Sequence, residues 1–243
     1  MANPDRDVAH RRDPRAATAT ITDGPPELLG STEIYRPYLI DGRAIALPKV
    51  IPGIPEYMTV ARAEVAADQL RPRLLENLDE RNPEIAFQPD AALTFDFYAA
   101  AGTAISETIV GLEGFANHFI SRHFDEAETF ELGETTYTRS EVYNRALNER
   151  LSDFLPVIVE VERPTNEPWW PTFRRIQGLA ALRRHSVFEP VKRRGLDGEK
   201  ALIQRLLDRE YAGGARMMLR AFEFFSPSWI SPERAAALPE PPS

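Results

Sequence analysis

Residues 98–124 read YAAAGTAISETIVGLEGFANHFISRHF, an unbroken stretch without proline. Tyr98, Ile105, Ile109, Leu112, Ala116, Phe119, Ile120 and His123 recur at steps of three and four, which is the period of a helix with one apolar face. Pro89 precedes the run, so the spacing predicts a helix of near 30 residues ending about Phe124. That is long for a globular domain and marks a central core element. The chain is therefore read outward from this helix.

On the N-terminal side, a second helix is expected from Tyr57 to about Arg81, bent or broken before Pro72 because a proline cannot donate to the helical ladder. Further back, IYRPYLI and RAIALPKV flank Asp41-Gly42, a short hairpin signal. Pro37 and Pro48 restrict such strands to sheet edges, or the segment to an extended decoration. On the C-terminal side, 130–138 predicts a small hairpin or irregular loop. Thr138-x-x-Glu141 then has the form of a capping box that opens a helix with Tyr143, Leu147, Leu151 and Phe154 along one side. Further helices are expected over 170–188, 197–211 and 214–226, the last two parted by Gly213-Gly214.

The 243 residues hold 21 prolines, nine of them at positions 4, 14, 25, 26, 227, 232, 239, 241 and 242. This divides the chain into a tail over 1–32 read as disordered, an extended or hairpin segment with a helix over 33–90, a helical bundle over 91–226, and a proline-rich tail over 227–243. The fold class expected is mainly α, an up-and-down helical bundle with a small N-terminal β decoration. No apolar run approaches the length of a membrane span. The first 30 residues carry Asp5, Arg6, Asp7, Arg11, Arg12 and Asp13 where a secretory signal needs an apolar core, which predicts a cytoplasmic protein. With no cysteine, disulfides, thiolate metal sites and thiol nucleophiles are excluded.

The net charge of −8 opposes nonspecific nucleic-acid binding. Placement is uneven, however. Between Pro171 and Gly195 stand Arg174, Arg175, Arg183, Arg184, Lys192, Arg193 and Arg194 against the single acid Glu189. On a helical wheel Trp169, Phe173, Ile176, Ala180 and Val187 form one apolar stripe, and Arg183 falls within it. An arginine there requires partners, or must carry its head to water. Glu113 and Asn117 are one turn apart on the flank of the long helix; if that helix packs on the basic one, Glu113 is a candidate partner for Arg183, and otherwise both are solvated flank residues. His118 and His123 are five apart and do not share a helix face as metal ligands would. Ser106, Ser121 and Ser186 lack the setting of a catalytic triad, and no phosphate loop, dinucleotide fingerprint or zinc motif is present. Phe222, Phe224, Phe225 and Trp229 are read as core or dimer contact, with Met217 and Met218 as bundle filler.

Taken in order, AISETIVGLEGFANHFI (104–120), SEVYNRALNERLSDFLPVI (140–158) and WWPTFRRIQGLAALRRHSVF (169–188) resemble the HEPN superfamily of small helical domains over about 125 residues. The resemblance implies a homodimer whose motif helices face a shared groove, an association with RNA or with a protein partner in stress-response or phage-defence systems, and no metal or cofactor. It also implies a metal-independent ribonuclease motif of an arginine, a polar residue, three further residues and a histidine. Arg183 occupies the arginine position, Arg184 the polar one, and Phe188 stands where the histidine belongs. Phenylalanine cannot carry a proton, and His185 lies three residues early. The expectation is a noncatalytic binding protein using Arg183, Arg184, Glu113, Asn117, Arg174, Arg175, Lys192, Arg193 and Arg194. The alternative is an endoribonuclease using Arg183 with a displaced base such as His185.

Overall fold

The computed structural model of the chain describes residues 17–20, 32–40, 43–48, 51–76, 90–188, 201–227 and 229–230. It divides into two units, 1–51 and 52–243.

In the first unit, β1 (Ala17–Thr20), β2 (Thr32–Ile40) and β3 (Arg43–Pro48) form an antiparallel sheet in the order β1-β2-β3. Ile40 pairs with Arg43, the register that a two-residue hairpin connection imposes. Asp41 and Gly42 themselves lie outside the described residues. Two expectations change. The segment 1–32 contains a strand, β1, and β2 is the middle strand rather than an edge. Among the described residues β1 pairs with Thr32–Tyr35, so the described neighbour of Pro37 is on the β3 side, and a proline is tolerated where its missing N–H faces no partner strand.

The second unit is mainly helical, as expected. Helix α1 (Ile54–Leu74) starts with Pro55 in its first turn, where a missing N–H costs nothing. It runs through Pro72 instead of breaking before it. Pro72 sits in the last turn, so only one ladder bond is lost near an end that frays anyway. Helix α2 (Ala91–Glu126) has 36 residues, longer than its periodicity indicated, because Asp90 caps it by accepting from the Leu93 N–H at 2.8 Å. It packs most extensively on α1 and also meets the later helices. Phe97, Ala101, Ile105, Leu112, Phe115, Ala116 and Ile120 are all fully buried. Phe97 and Phe115 lie off the predicted stripe, because α2 is covered on more than one side.

Strands β4 (Thr129–Leu132) and β5 (Thr135–Thr138) make the small hairpin, with Gly133 at φ +62°. The capping box forms: Thr138 Oγ1 accepts from the Glu141 N–H, and the Glu141 carboxylate accepts from the Thr138 N–H at 2.7 Å. The helix it opens, α3 (Arg139–Tyr143), stops after five residues. The chain then re-enters helix as α4 (Leu147–Glu149), widens to a π-helical turn over Arg150–Phe154, and closes as α5 (Leu155–Ile158). Pro156 explains the wide turn. Its ring would clash with the Ser152 carbonyl in a regular α-helix, and it has no N–H to give to it.

Helix α6 (Trp170–Phe188) matches its expected span. Helix α7 is described over 201–207 and ends before the expected 211; 189–200, where its start was expected, lie outside the described residues. The turn after it places Arg209 at φ +61°, a conformation that normally falls to glycine. Asp68 of α1 fixes it, its two carboxylate oxygens accepting from Arg209 Nε (2.9 Å) and Nη2 (2.5 Å), with the Tyr211 hydroxyl donating at 2.7 Å. Burial works against the Asp68 charge, but these hydrogen bonds outweigh it and hold the carboxyl below its ordinary range. Helix α8 (Gly214–Phe225) closes the unit, and its Met217, Met218, Phe222 and Phe225 are buried in the common core as expected.

Gly111 governs the contact of α2 with α1 and α8. A Cβ built there would lie 2.9 Å from Glu56 Cβ and would overlap Met218 Cε, whereas one at Gly114 meets nothing nearer than Pro52 Cβ at 3.9 Å. Gly111→Ala is expected to destabilise the fold by about 1–3 kcal/mol. Gly114→Ala, on the same helix, is expected to be neutral or to stabilise by up to about 1 kcal/mol. Urea denaturation of the two variants beside the wild type reads the contrast.

Candidate functional site

Helices α2 and α6 lie against each other and leave a groove of about 500 Å³ lined by Ser106, Ile109, Val110 and Glu113 from the first and Ala180, Arg183 and Arg184 from the second. The apolar stripe of α6 lies beneath it: Trp169, Phe173, Ile176, Leu179 and Ala180 are buried in the core. Arg183 stands at the end of that stripe, and the groove is where its head emerges.

Its partners differ from the expected one. Arg183 Nη1 donates to the Gly102 carbonyl at 2.6 Å and to the Ser106 hydroxyl. Gly102 makes this possible, since a Cβ at that position would lie 2.9 Å from the guanidinium carbon. Glu113 lies seven residues beyond Ser106, about 10 Å along the helix, and is bound from elsewhere. Arg150 Nη2 donates to Glu113 Oε1 at 2.5 Å, and Arg150 Nη1 to Asn117 Oδ1 at 2.5 Å. The pairing of Arg183 with Glu113 is thus replaced by two separate networks, although both residues face the same groove.

Arg150 is the residue that the sequence reading passed over. It is only 5% exposed and opens the π-helical turn, which swings it onto α2. A signal existed: between Leu147, Leu151 and Phe154, position 150 falls at the spacing of the buried side. The pair is half-exposed on the Glu113 side, so Glu113 presents a carboxylate to the groove while Arg150 fixes its orientation from behind. Tyr143 adds a long bond of 3.4 Å from its hydroxyl to the Asn117 carbonyl.

The remaining basic candidates disperse. Arg175 is half-buried and donates from Nη2 to the Ala212 carbonyl at 2.7 Å, tying α6 to the turn before α8. Arg174 is exposed and donates to Gln177 Oε1 at 3.0 Å. Arg184 is exposed on the groove rim. Lys192, Arg193 and Arg194 lie outside the described residues, as do the side chains of His185 and Phe188. His123 contacts the Thr129 carbonyl at 3.3 Å and stacks edge-on against Phe130, while His118 packs on Phe119 and Trp229. Among the described residues no group of three or more His, Cys, Asp or Glu could hold a metal ion. No described helix is long and apolar enough to cross a membrane.

One further feature bears on the groove. Phe95, 71% exposed, lies on the same face of α2 as Gly102, Ser106 and Glu113, at intervals of seven, four and seven residues. Val110, half exposed, stands beside them. The arrangement combines two arginines, one anchored carboxylate and exposed apolar side chains.

Arg150→Met is expected to cost about 2 kcal/mol or more, because it strips a buried charge network and leaves Asn117 and Glu113 unpaired. Arg184→Ala on the rim is expected to stay within about 0.5 kcal/mol of the wild type. Chemical denaturation followed by tryptophan fluorescence distinguishes them. Comparison of the chain with protein-family models, with curated proteins and with solved structures finds no match.

Proposed function

We propose that the chain is a noncatalytic, HEPN-like binding protein, an up-and-down helical bundle that works in the cytoplasm as a homodimer and engages a protein partner through the α2–α6 groove. The observation that carries the reading is the composition of that groove. Arg183 and Arg184 present positive charge and Glu113 negative charge on a surface that also exposes Val110, with Phe95 further along the same helix. Mixed signs beside apolar side chains fit a protein surface carrying acidic and apolar groups. They fit the uniformly anionic backbone of RNA less well, and the total charge of −8 adds to the difference. The motif position held by Phe188 supports binding over catalysis, since it supplies no proton carrier.

A second reading, a metal-independent endoribonuclease, draws on one observation. Arg183 and Glu113 line the same groove, which thus holds a cation and a carboxylate able to accept a proton. The two readings part in one experiment. Labelled single-stranded RNA incubated with the full chain in chelator is expected to remain intact, and to show no binding that collapses with salt. Cleavage that disappears in Arg183→Ala would establish the ribonuclease instead, and tight, steeply salt-dependent binding without cleavage would make RNA the partner. Light scattering coupled to gel filtration is expected to give twice the 27.4 kDa chain mass. A monomer at micromolar concentration would end the dimer proposal.

A further inference from the structure

We infer that Glu64 is a proton-operated latch that holds α8 against α1, closed when the carboxyl is protonated and loosened when it is ionised. This device is independent of the groove and of the function proposed for it.

Glu64 is 0% exposed, in the middle of α1, with its carboxyl set at the first residues of α8. Oε1 accepts from the backbone N–H of Gly214 at 2.6 Å and of Ala215 at 3.4 Å. Oε2 is buried with no hydrogen-bond partner. The first residue of α8 is packed tightly against the carboxyl: a Cβ on Gly214 would lie 2.6 Å from Thr108 Oγ1 and 3.1 Å from Glu64 Oε1. The helix end supplies N–H groups and the favourable end of its dipole to an anion, which explains why a carboxyl is seated there. A full charge nevertheless carries a large desolvation cost when one oxygen has nothing to bind.

Among the described residues, the charged groups on the surrounding elements are engaged elsewhere. From α1 itself face Tyr57 and Asp68. Burial raises the Tyr57 hydroxyl, and the nearby Glu64 raises it further. Asp68 is an anion engaged by Arg209 and Tyr211 from the turn preceding α8. From α2 comes Thr108, whose hydroxyl donates to the Ala104 carbonyl of its own helix. From α6 the cation nearest the turn is Arg175, committed to the Ala212 carbonyl. Burial therefore pushes the Glu64 carboxyl up to about 7, with the N–H groups of Gly214, Ala215 and Gly213 opposing and Asp68 adding to the rise.

The sign follows from linkage. A carboxyl whose proton affinity is raised by folding binds more protons in the native state than in the unfolded one. Stability then falls as pH rises, from the ordinary glutamate range up to about 7, and is flat above it. Asp68 works in the opposite direction and only in acid, so the two effects occupy separate pH ranges. Loosening α8 would uncover Met217, Met218, Phe222 and Phe225, the apolar face it now buries.

The test is urea unfolding of the full chain from pH 5.5 to 8, wild type beside Glu64→Gln, with hydrogen-exchange protection of 214–225 measured at both ends. The wild-type unfolding constant is expected to rise on the order of tenfold across this range, with protection of α8 falling. The glutamine variant, neutral throughout, should lose this dependence. Equal pH slopes in the two proteins would overturn the proposal. Should the variant fail to fold, carbon-13 NMR of glutamate side-chain carboxyls in the wild type decides. One carboxyl titrating near neutrality supports the latch, and all of them titrating in the ordinary carboxylate range overturns it.

Discussion

The close approach of neighbours to the small side chains of α2 is the constraint on which the helical unit rests. A helix of 36 residues can bury a single face and remain one wall of a bundle. This one is met by α1, α6 and α8, which requires that parts of its surface be nearly flat. Ala101, Ala104, Thr108 and Gly111 provide that flatness on the buried side, and Gly102 provides it where a guanidinium lies across the backbone. The large side chains Phe97, Ile105, Leu112 and Phe115 fill the intervals between the crossings. Packing at this density makes backbone approach and side-chain volume interdependent. The identity of a glycine on α2 thereby determines where two other helices can stand.

That dependence explains what could be read in advance. The presence of the long helix through Phe124 and of the helices near 170–188 and 214–226 follows from periodicity and punctuation, because burial on one side imposes a period that the residues display. The capping box at Thr138 and the hairpin register around Asp41-Gly42 are local chemistry and equally legible. The interruption after Tyr143 was not. Leu147, Leu151 and Phe154 continue a helical spacing across it, and the π turn that follows, which relieves the conflict between Pro156 and the Ser152 carbonyl, was equally hidden. The passage of α1 through Pro72 was hidden for a related reason: a proline near a terminus costs much less than one in the interior.

The groove was legible in its composition and illegible in its wiring. Arg183 on an apolar stripe announced an arginine that needs partners, and the structure gives it some. Sequence separation cannot tell which turn of a neighbouring helix lies opposite, and the offset between α2 and α6 directs Arg183 to Gly102 and Ser106. Glu113 and Asn117 are instead held by Arg150, from an element whose direction depends on the π turn. Charged groups inside a fold are settled by geometry at the scale of a single ångström. A wheel diagram has no access to that scale.

The indole of Trp229 donates to the carbonyl of Pro52 at 3.3 Å. These residues stand near the two ends of the described part of the helical unit, 52–230, so that described path returns to within one hydrogen bond of where it began. A path of that kind is topologically close to a ring. The unit can accordingly be rejoined through a short linker between those ends and reopened at another surface connection without rerouting any helix. The same closure lets such a unit be appended to, or set within, another chain while occupying a single point of attachment.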